Sequence, residues 1–121
     1  KAITSDQPID VYNFGRMKRD FTYIDDIVEG TILALEKNYP FEIFNLGNNK
    51  AVSLNYFISS IEKLLGKKAK KNMLPLQPGD VPETTADISK AKKLLGYHPK
   101  VSIEEGLKRV INWYLKNEKG K

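Results

Sequence analysis

The chain has no cysteine and a single histidine, His98. Disulfide scaffolds, thiolate metal centres, iron–sulfur clusters and cysteine nucleophiles are therefore excluded, as is an HExxH helix. No apolar run approaches the roughly 18 residues of a membrane-spanning helix, and no secretory leader pattern heads the sequence. A reduced, cytoplasmic setting is the expectation. Closely spaced glycines are missing as well. They fall at 15, 30, 47, 66, 79, 96, 106 and 120, so no glycine-rich turn can bring backbone against a pyrophosphate at a helix N-terminus. None of the six tyrosines is followed four residues later by lysine, which removes the helical Tyr-x-x-x-Lys pair that lowers a phenol pKa.

What is present is globular in composition: 121 residues, 40% hydrophobic and 29% charged, enough for one domain with a core. The chain carries 20 basic against 15 acidic residues, a net charge of +5, which favours an anionic partner. Lys67, Lys68, Lys70 and Lys71 cluster in one segment, and Lys116, Lys119 and Lys121 stand near the C-terminus. Nucleic-acid surfaces interleave such residues with aromatics or a groove-entering helix. Residues 67–73 contain no aromatic, so they read as a solvated segment, and nucleic acid is not the expected partner.

The patterning predicts an α/β domain of about four helices and three short strands. Residues 1–5 read as the tail of a helix, and with a first residue that is not methionine they suggest a piece of something longer. Ile9–Asn13 is expected as a strand after Pro8, Arg19–Tyr23 as a short extended segment, and Phe41–Leu46 as a strand on its alternation. The first helix has Asp25 or Asp26 near its N-terminus, with Ile24, Ile27, Val28, Thr31, Ile32 and Leu35 recurring at the spacing of one helical face, and ends at Asn38–Pro40. Ser53 caps a second helix that stops at Gly66, with Leu54, Phe57, Ile58, Ile61, Leu64 and Leu65 inward. Residues 68–76 suit an edge strand. Asp87 or Ser89 opens a short helix to Leu95, and Ser102 with Glu105 is spaced as a capping box for the last helix, whose inner face is Ile103, Leu107, Val110, Ile111 and Tyr114.

No catalytic constellation emerges. Asp25-Asp26 and Glu104-Glu105 are neighbours that do not face each other on a helix; they suit the positive helix end. His98, in Tyr97-His98-Pro99, reads as a surface or packing residue. Two features suit binding. Arg19, in GRMKRDFTY, either grips a phosphate through its planar fork or pairs with Asp20, Asp25 or Asp26. Gln77-Pro78-Gly79-Asp80 is either a plain turn or a rigid loop whose aspartate accepts from a sugar hydroxyl.

The string Arg19-Asp20-Phe21-Thr22-Tyr23-Ile24-Asp25-Asp26-Ile27-Val28 resembles the RDFTYIDDIV segment of nucleotide-sugar epimerases of the extended short-chain dehydrogenase/reductase family. Asp10–Asn13, Phe44–Asn48, Met73–Val81, Thr85–Asp87, Leu95–Pro99, Glu104–Leu107 and Trp113-Tyr114 resemble further motifs of that family in the same order. The QPGDV form is similar to the UDP-glucuronate 4-epimerase branch, with UDP-glucose 4-epimerase, UDP-glucuronate decarboxylase and dTDP-glucose 4,6-dehydratase as alternatives within the family. A stand-alone binding module for an anionic ligand or nucleic acid is the alternative outside it. The resemblance implies that residues 1–121 are a C-terminal substrate-binding lobe, with the NAD-binding Rossmann domain and the Tyr-x-x-x-Lys pair outside this chain. It implies that Arg19 contacts the pyrophosphate of a UDP-sugar, that Val11 and Tyr12 flank the uracil, and that Asp80 and the Gln77 loop lie by the ribose and phosphates. The family often has arginine where Gln77 stands, so this loop carries one positive charge fewer. For the complete enzyme it implies epimerisation through a 4-keto sugar, with NAD taking hydride from C4 and returning it to the other face. A homodimer serving cell-surface polysaccharide synthesis is implied too. The chain alone is then expected to be inactive and to expose an apolar face where the Rossmann domain packs.

Overall fold

Among the described residues the strands are few and short, and they come in two separate pairs. In the computed structural model, which describes residues 1–118, β1 (Pro8–Val11) runs parallel to β4 (Lys70–Met73), and β2 (Lys18–Asp20) runs antiparallel to β3 (Ala51–Ser53). Four helices surround them: α1 (Ile24–Lys37), α2 (Leu54–Leu65), α3 (Ser89–Leu95) and α4 (Ile103–Glu118). The mixed α/β architecture and the four helices are as the sequence predicts. Lys119 and Lys121 lie outside the described residues.

Local chemistry sets the helix ends. Ser53 Oγ accepts from the Tyr56 amide at 3.2 Å, and Asp87 Oδ1 accepts from the Ser89 amide at 2.9 Å, each satisfying an orphan donor of a first turn. Gly66 and Gly96 close α2 and α3, and Asn38 closes α1. Half of the expected capping box forms. Ser102 Oγ accepts from the Glu105 amide, whereas the Glu105 carboxylate turns to Arg109 Nε at 2.8 Å.

The main core joins α1 to α3. Ile88, Ala91, Leu95 and Tyr97 are buried, with Leu33, Ala34, Phe44, Leu46 and Ala86 packed on them. On the other side α2 packs against α4, with Ile58, Leu107 and Ile111 buried. Phe21 stacks on Phe57 at 4.1 Å between centroids.

Several expectations are corrected here. The first strand ends at Val11, because Tyr12–Gly15 turns tightly with Asn13 and Phe14 left-handed. The second extends only to Asp20, and residues 2–6 form turns in place of a helix tail. Phe41–Leu46 is not a strand. Phe44 and Leu46 reach the core, but Phe41 and Ile43 are 84% and 70% exposed, and among the described residues no neighbouring strand pairs with them. The buried face of α1 is also the opposite one. Ile24, Val28, Ile32 and Leu35 face solvent, while Asp26 and Gly30 are buried and Leu33 and Ala34 pack on the core. Both faces of α1 are thus substantially apolar, the pattern of a helix covered on two sides. On α4, Val110 likewise points outward.

The lysine cluster has a structural task. Glu62 is 4% exposed; Lys71 and Lys68 reach its carboxylate at 2.9 and 3.0 Å, and the Ala69 amide donates at 3.0 Å. Lys67 pairs with Asp6 at 2.7 Å. The Lys71 ammonium, then the Ala69 amide, hold the Glu62 carboxyl down at about 2 against an ordinary 4.5, overcoming the opposing effect of burial. A depressed carboxyl stabilises the fold fully above its ordinary pKa and loses that contribution as pH falls through its folded value. Glu62→Gln should cost roughly 1.5–3 kcal/mol at pH 7. In thermal melts, the gap between variant and parent should narrow as pH is lowered from about 4.5 toward about 2.

Candidate functional site

Two stretches distant in sequence run side by side in the same direction beyond the β1–β4 pair. The Leu74 amide donates to Val11 O at 3.0 Å and the Phe14 amide to Leu74 O at 3.0 Å. Further along, the Lys18 amide donates to Pro82 O at 2.8 Å and the Thr84 amide to Lys18 O at 3.2 Å. Between these ties the second stretch makes the turn Gln77–Asp80. Pro78 holds the first central position and Gly79, at φ +83°, the second, the residues a type II turn demands, and the Asp80 amide closes it onto Gln77 O at 3.1 Å.

The track places Val11, Tyr12 and Arg19 on one stretch and Gln77 and Asp80 on the other. Arg19 Nη2 donates to Asp80 Oδ1 at 2.8 Å, and its Nη1 donates to Lys18 O at 2.8 Å. Asp80 Oδ1 also accepts from the Val81 amide at 2.8 Å. The partner of Arg19 is thus Asp80. Asp25 pairs with Arg109, Asp26 accepts the Lys100 and Val101 amides, and Asp20 accepts three other amides. The Arg19 and Asp80 side chains are each about one-third exposed. A guanidinium has five N–H donors, so Nε and the second hydrogens of both Nη atoms remain for a bound anion.

The other three residues differ in availability. Tyr12 is half-buried at the start of the tight turn and Gln77 is exposed. The Val11 side chain is 0% exposed and its carbonyl is taken by Leu74. Its side chain belongs to the core, so Val11 offers no side-chain surface beside Tyr12.

Sequence reasoning missed Asp20 as an organiser. Its Oδ1 accepts from the Asn48 amide at 3.0 Å, and its Oδ2 from the Asn49 and Ala86 amides at 2.9 and 3.0 Å. Gly47 lies against the same group: a Cβ there would stand 2.5 Å from Ala86 Cβ and 3.0 Å from Asp20 Oδ2. Tyr97 completes the cluster by donating its hydroxyl to Gly47 O at 3.0 Å, and burial foremost pushes that phenol pKa up. The one signal in the sequence was Gly47-Asn48-Asn49, which reads equally well as an ordinary strand-closing turn.

The chain matches the family described as GDP-mannose 4,6 dehydratase over residues 2–110. It is 60% identical over 118 residues to an uncharacterized protein of Methanocaldococcus jannaschii, covering 98% of this chain and 36% of that protein. It is 52% identical to a UDP-glucuronate 4-epimerase of Thermodesulfobacterium geofontis, covering 97% of this chain and 36% of the relative. Among solved structures, the UDP-glucuronic acid 4-epimerase of Bacillus cereus in complex with UDP-glucuronic acid and NAD superposes with a TM-score of 0.87 at 40% identity, covering 95% of this chain and 37% of that one. A UDP-glucose 4-epimerase of Thermotoga maritima with UDP-glucose superposes with a TM-score of 0.87 at 32% identity, covering 97% and 38%. The chain therefore spans little more than a third of the length of these proteins.

Gly47 and Gly79 separate two reasons for glycine. Gly47→Ala should destabilise by about 1–3 kcal/mol through overpacking against Ala86 and Asp20. Gly79→Ala, with nothing near its missing Cβ, should lose only the left-handed penalty of roughly 1–2 kcal/mol. Denaturant unfolding of both variants measures the difference, and only Gly47→Ala should also expose the Asn48, Asn49 and Ala86 amides to hydrogen exchange.

Proposed function

The chain belongs to the GDP-mannose 4,6 dehydratase family, and on that footing we propose that it is the nucleotide-sugar-binding lobe of an NAD-dependent UDP-sugar epimerase acting on UDP-glucuronate. The observation that carries the reading is the Arg19–Asp80 arrangement: a guanidinium about one-third exposed, held at two points and with donors to spare, beside a rigid turn. That is a grip for a diphosphate. Tyr12, at the other end of the same track, suits the base, and Gln77 and Asp80 suit the ribose and phosphates. The names of relatives favour glucuronate as the sugar. A second reading, UDP-glucose, is supported by the Thermotoga maritima likeness and uses the same diphosphate grip.

The residues present do not fit NAD. Among the described residues the glycines end helices, make a turn or lie beneath packed side chains, and none forms a cradle for a pyrophosphate. NAD and the reacting groups are assigned to the remainder of the complete protein. The contribution of this lobe is to anchor UDP while the sugar turns, binding energy used remotely from the reacting carbon. On this reading the enzyme works in the cytoplasm as a homodimer and supplies uronate sugars for cell-surface polysaccharides. The remainder, on the same reading, covers the exposed apolar residues Ile24, Val28, Ile32 and Leu35 of α1, and Phe41 and Ile43 beyond it. Among the described residues no helix is long and apolar enough to cross a membrane, and three of the four clustered lysines are engaged by Glu62 and Asp6, which disfavours nucleic acid.

The test is a product assay on the full-length protein with UDP-glucuronate and UDP-glucose; the expected product is UDP-galacturonate. Arg19→Ala should weaken UDP binding about 10- to 100-fold, the equivalent of roughly 1.5–3 kcal/mol, by calorimetry. Undiminished affinity overturns the diphosphate assignment. Ile32→Lys should leave the melting temperature of this chain alone nearly unchanged and lower that of the full-length protein by several degrees, since only there is the α1 face covered.

A further inference from the structure

The segment that carries Gln77 and Asp80 has no buried hydrophobic anchor. Residues 75–85 are all exposed except Asp80, which is itself only partly covered. No buried apolar side chain fixes where this segment lies, Leu76 being 38% exposed, and the hydrogen bonds at its ends carry much of that task. At its start the Leu74 amide and carbonyl are tied to Val11 and Phe14; at its end Pro82 and Thr84 are tied to Lys18. One side chain reaches across to it from beside Arg19. Asp20 Oδ2 accepts the Ala86 amide while the same carboxylate holds Asn48 and Asn49. Arg19 and Asp20 are consecutive in β2, so their side chains leave the strand on opposite faces. One face presents the guanidinium, and the other locks the exit of the loop that presents its partner.

We infer that Asp20 is a positioning residue for nucleotide binding: by holding the Ala86, Asn48 and Asn49 amides it fixes the Gln77–Asp80 turn against Arg19, so the guanidinium is oriented before the diphosphate arrives. The inference rests on the nucleotide-sugar reading and adds a residue that touches no ligand. A carboxylate suits the task because it only accepts. Three amides converge on it, and an asparagine of the same shape would turn a donor toward at least one of them. Orientation fixed in advance lowers the ordering cost of binding.

The test uses the full-length protein with UDP as probe and UDP-glucuronate as substrate. Asp20→Asn should raise the UDP dissociation constant and KM together by about 5- to 30-fold with kcat within about twofold, since binding is lost without a change at the reacting carbon. Asp26→Asn is the control. Asp26 also accepts two backbone amides, from Lys100 and Val101, and its variant should lose comparable thermal stability yet keep affinity and KM within about twofold. If the two variants bind UDP alike, the role of Asp20 is structural only and the inference fails. If Arg19→Ala binds UDP like the parent, the diphosphate reading fails first. Should Asp20→Asn not fold, hydrogen exchange on the parent decides: UDP should slow exchange at Ala86, Asn48 and Asn49, and slowing confined to residues 77–80 overturns the coupling.

Discussion

Asp20, Asp26 and Glu62 each hold backbone amides that no regular element satisfies, and the rest of the molecule is arranged around those three carboxylates. Asp26, 2% exposed, receives the amides of Lys100 and Val101 from the segment leading into α4. Glu62 receives Ala69 and two ammonium groups where α2 passes into β4. Asp20 receives amides from the turn after the Phe41–Leu46 segment and from the segment before α3. Strands of three or four residues in two-stranded pairs are marginal by themselves. An ionised acceptor in a partly desolvated place makes a hydrogen bond about twice as strong as a neutral one, and such bonds join segments that strand ladders do not reach.

The same constraint explains which features were legible in the sequence. Helix ends were, because capping serines, glycines and an asparagine act on their own neighbours; Ser53, Gly66, Gly96 and Ser102 stand where their local chemistry requires. The Gln77-Pro78-Gly79-Asp80 turn was legible for the same reason. The partners of Asp20 were not, since a backbone amide leaves no mark on composition. Arg19 found its carboxylate at Asp80, 61 residues along the chain, past three nearer aspartates already occupied by other donors. Periodicity failed on α1 because it reports that a face is apolar, not which of two apolar faces this chain covers. Phe41–Leu46 alternates like a strand but needs a neighbour, and among the described residues it has none.

The Arg19–Asp80 pair contributes little to folding. Pairs this exposed are worth about 0–1 kcal/mol, so their geometry matters more than their energy. The pair also partly neutralises the guanidinium, which leaves a ligand less long-range attraction and more directional hydrogen bonding. The neighbouring charge is spent similarly, since Lys18 pairs with Glu83 at 3.2 Å. A site built this way selects by the arrangement of its donors and draws little on the net positive charge of the chain.

That balance has a consequence for how the loop and the ligand share Arg19. On the proposed reading, a diphosphate brings negative charge toward a guanidinium that already has a carboxylate at 2.8 Å, and the repulsion between like charges this close must be offset by donors to each. Asp80 has one: the Val81 amide, 2.8 Å from the same oxygen. With that amide the carboxylate can stay in place while the remaining guanidinium hydrogens turn to phosphate. Without a fixed loop, Asp80 would be pushed away and Arg19 would lose the contact that aims it. On the role inferred for Asp20, the turn, the clamp at its exit and the ion pair work as one unit, and the exposed loop can be precise without being buried.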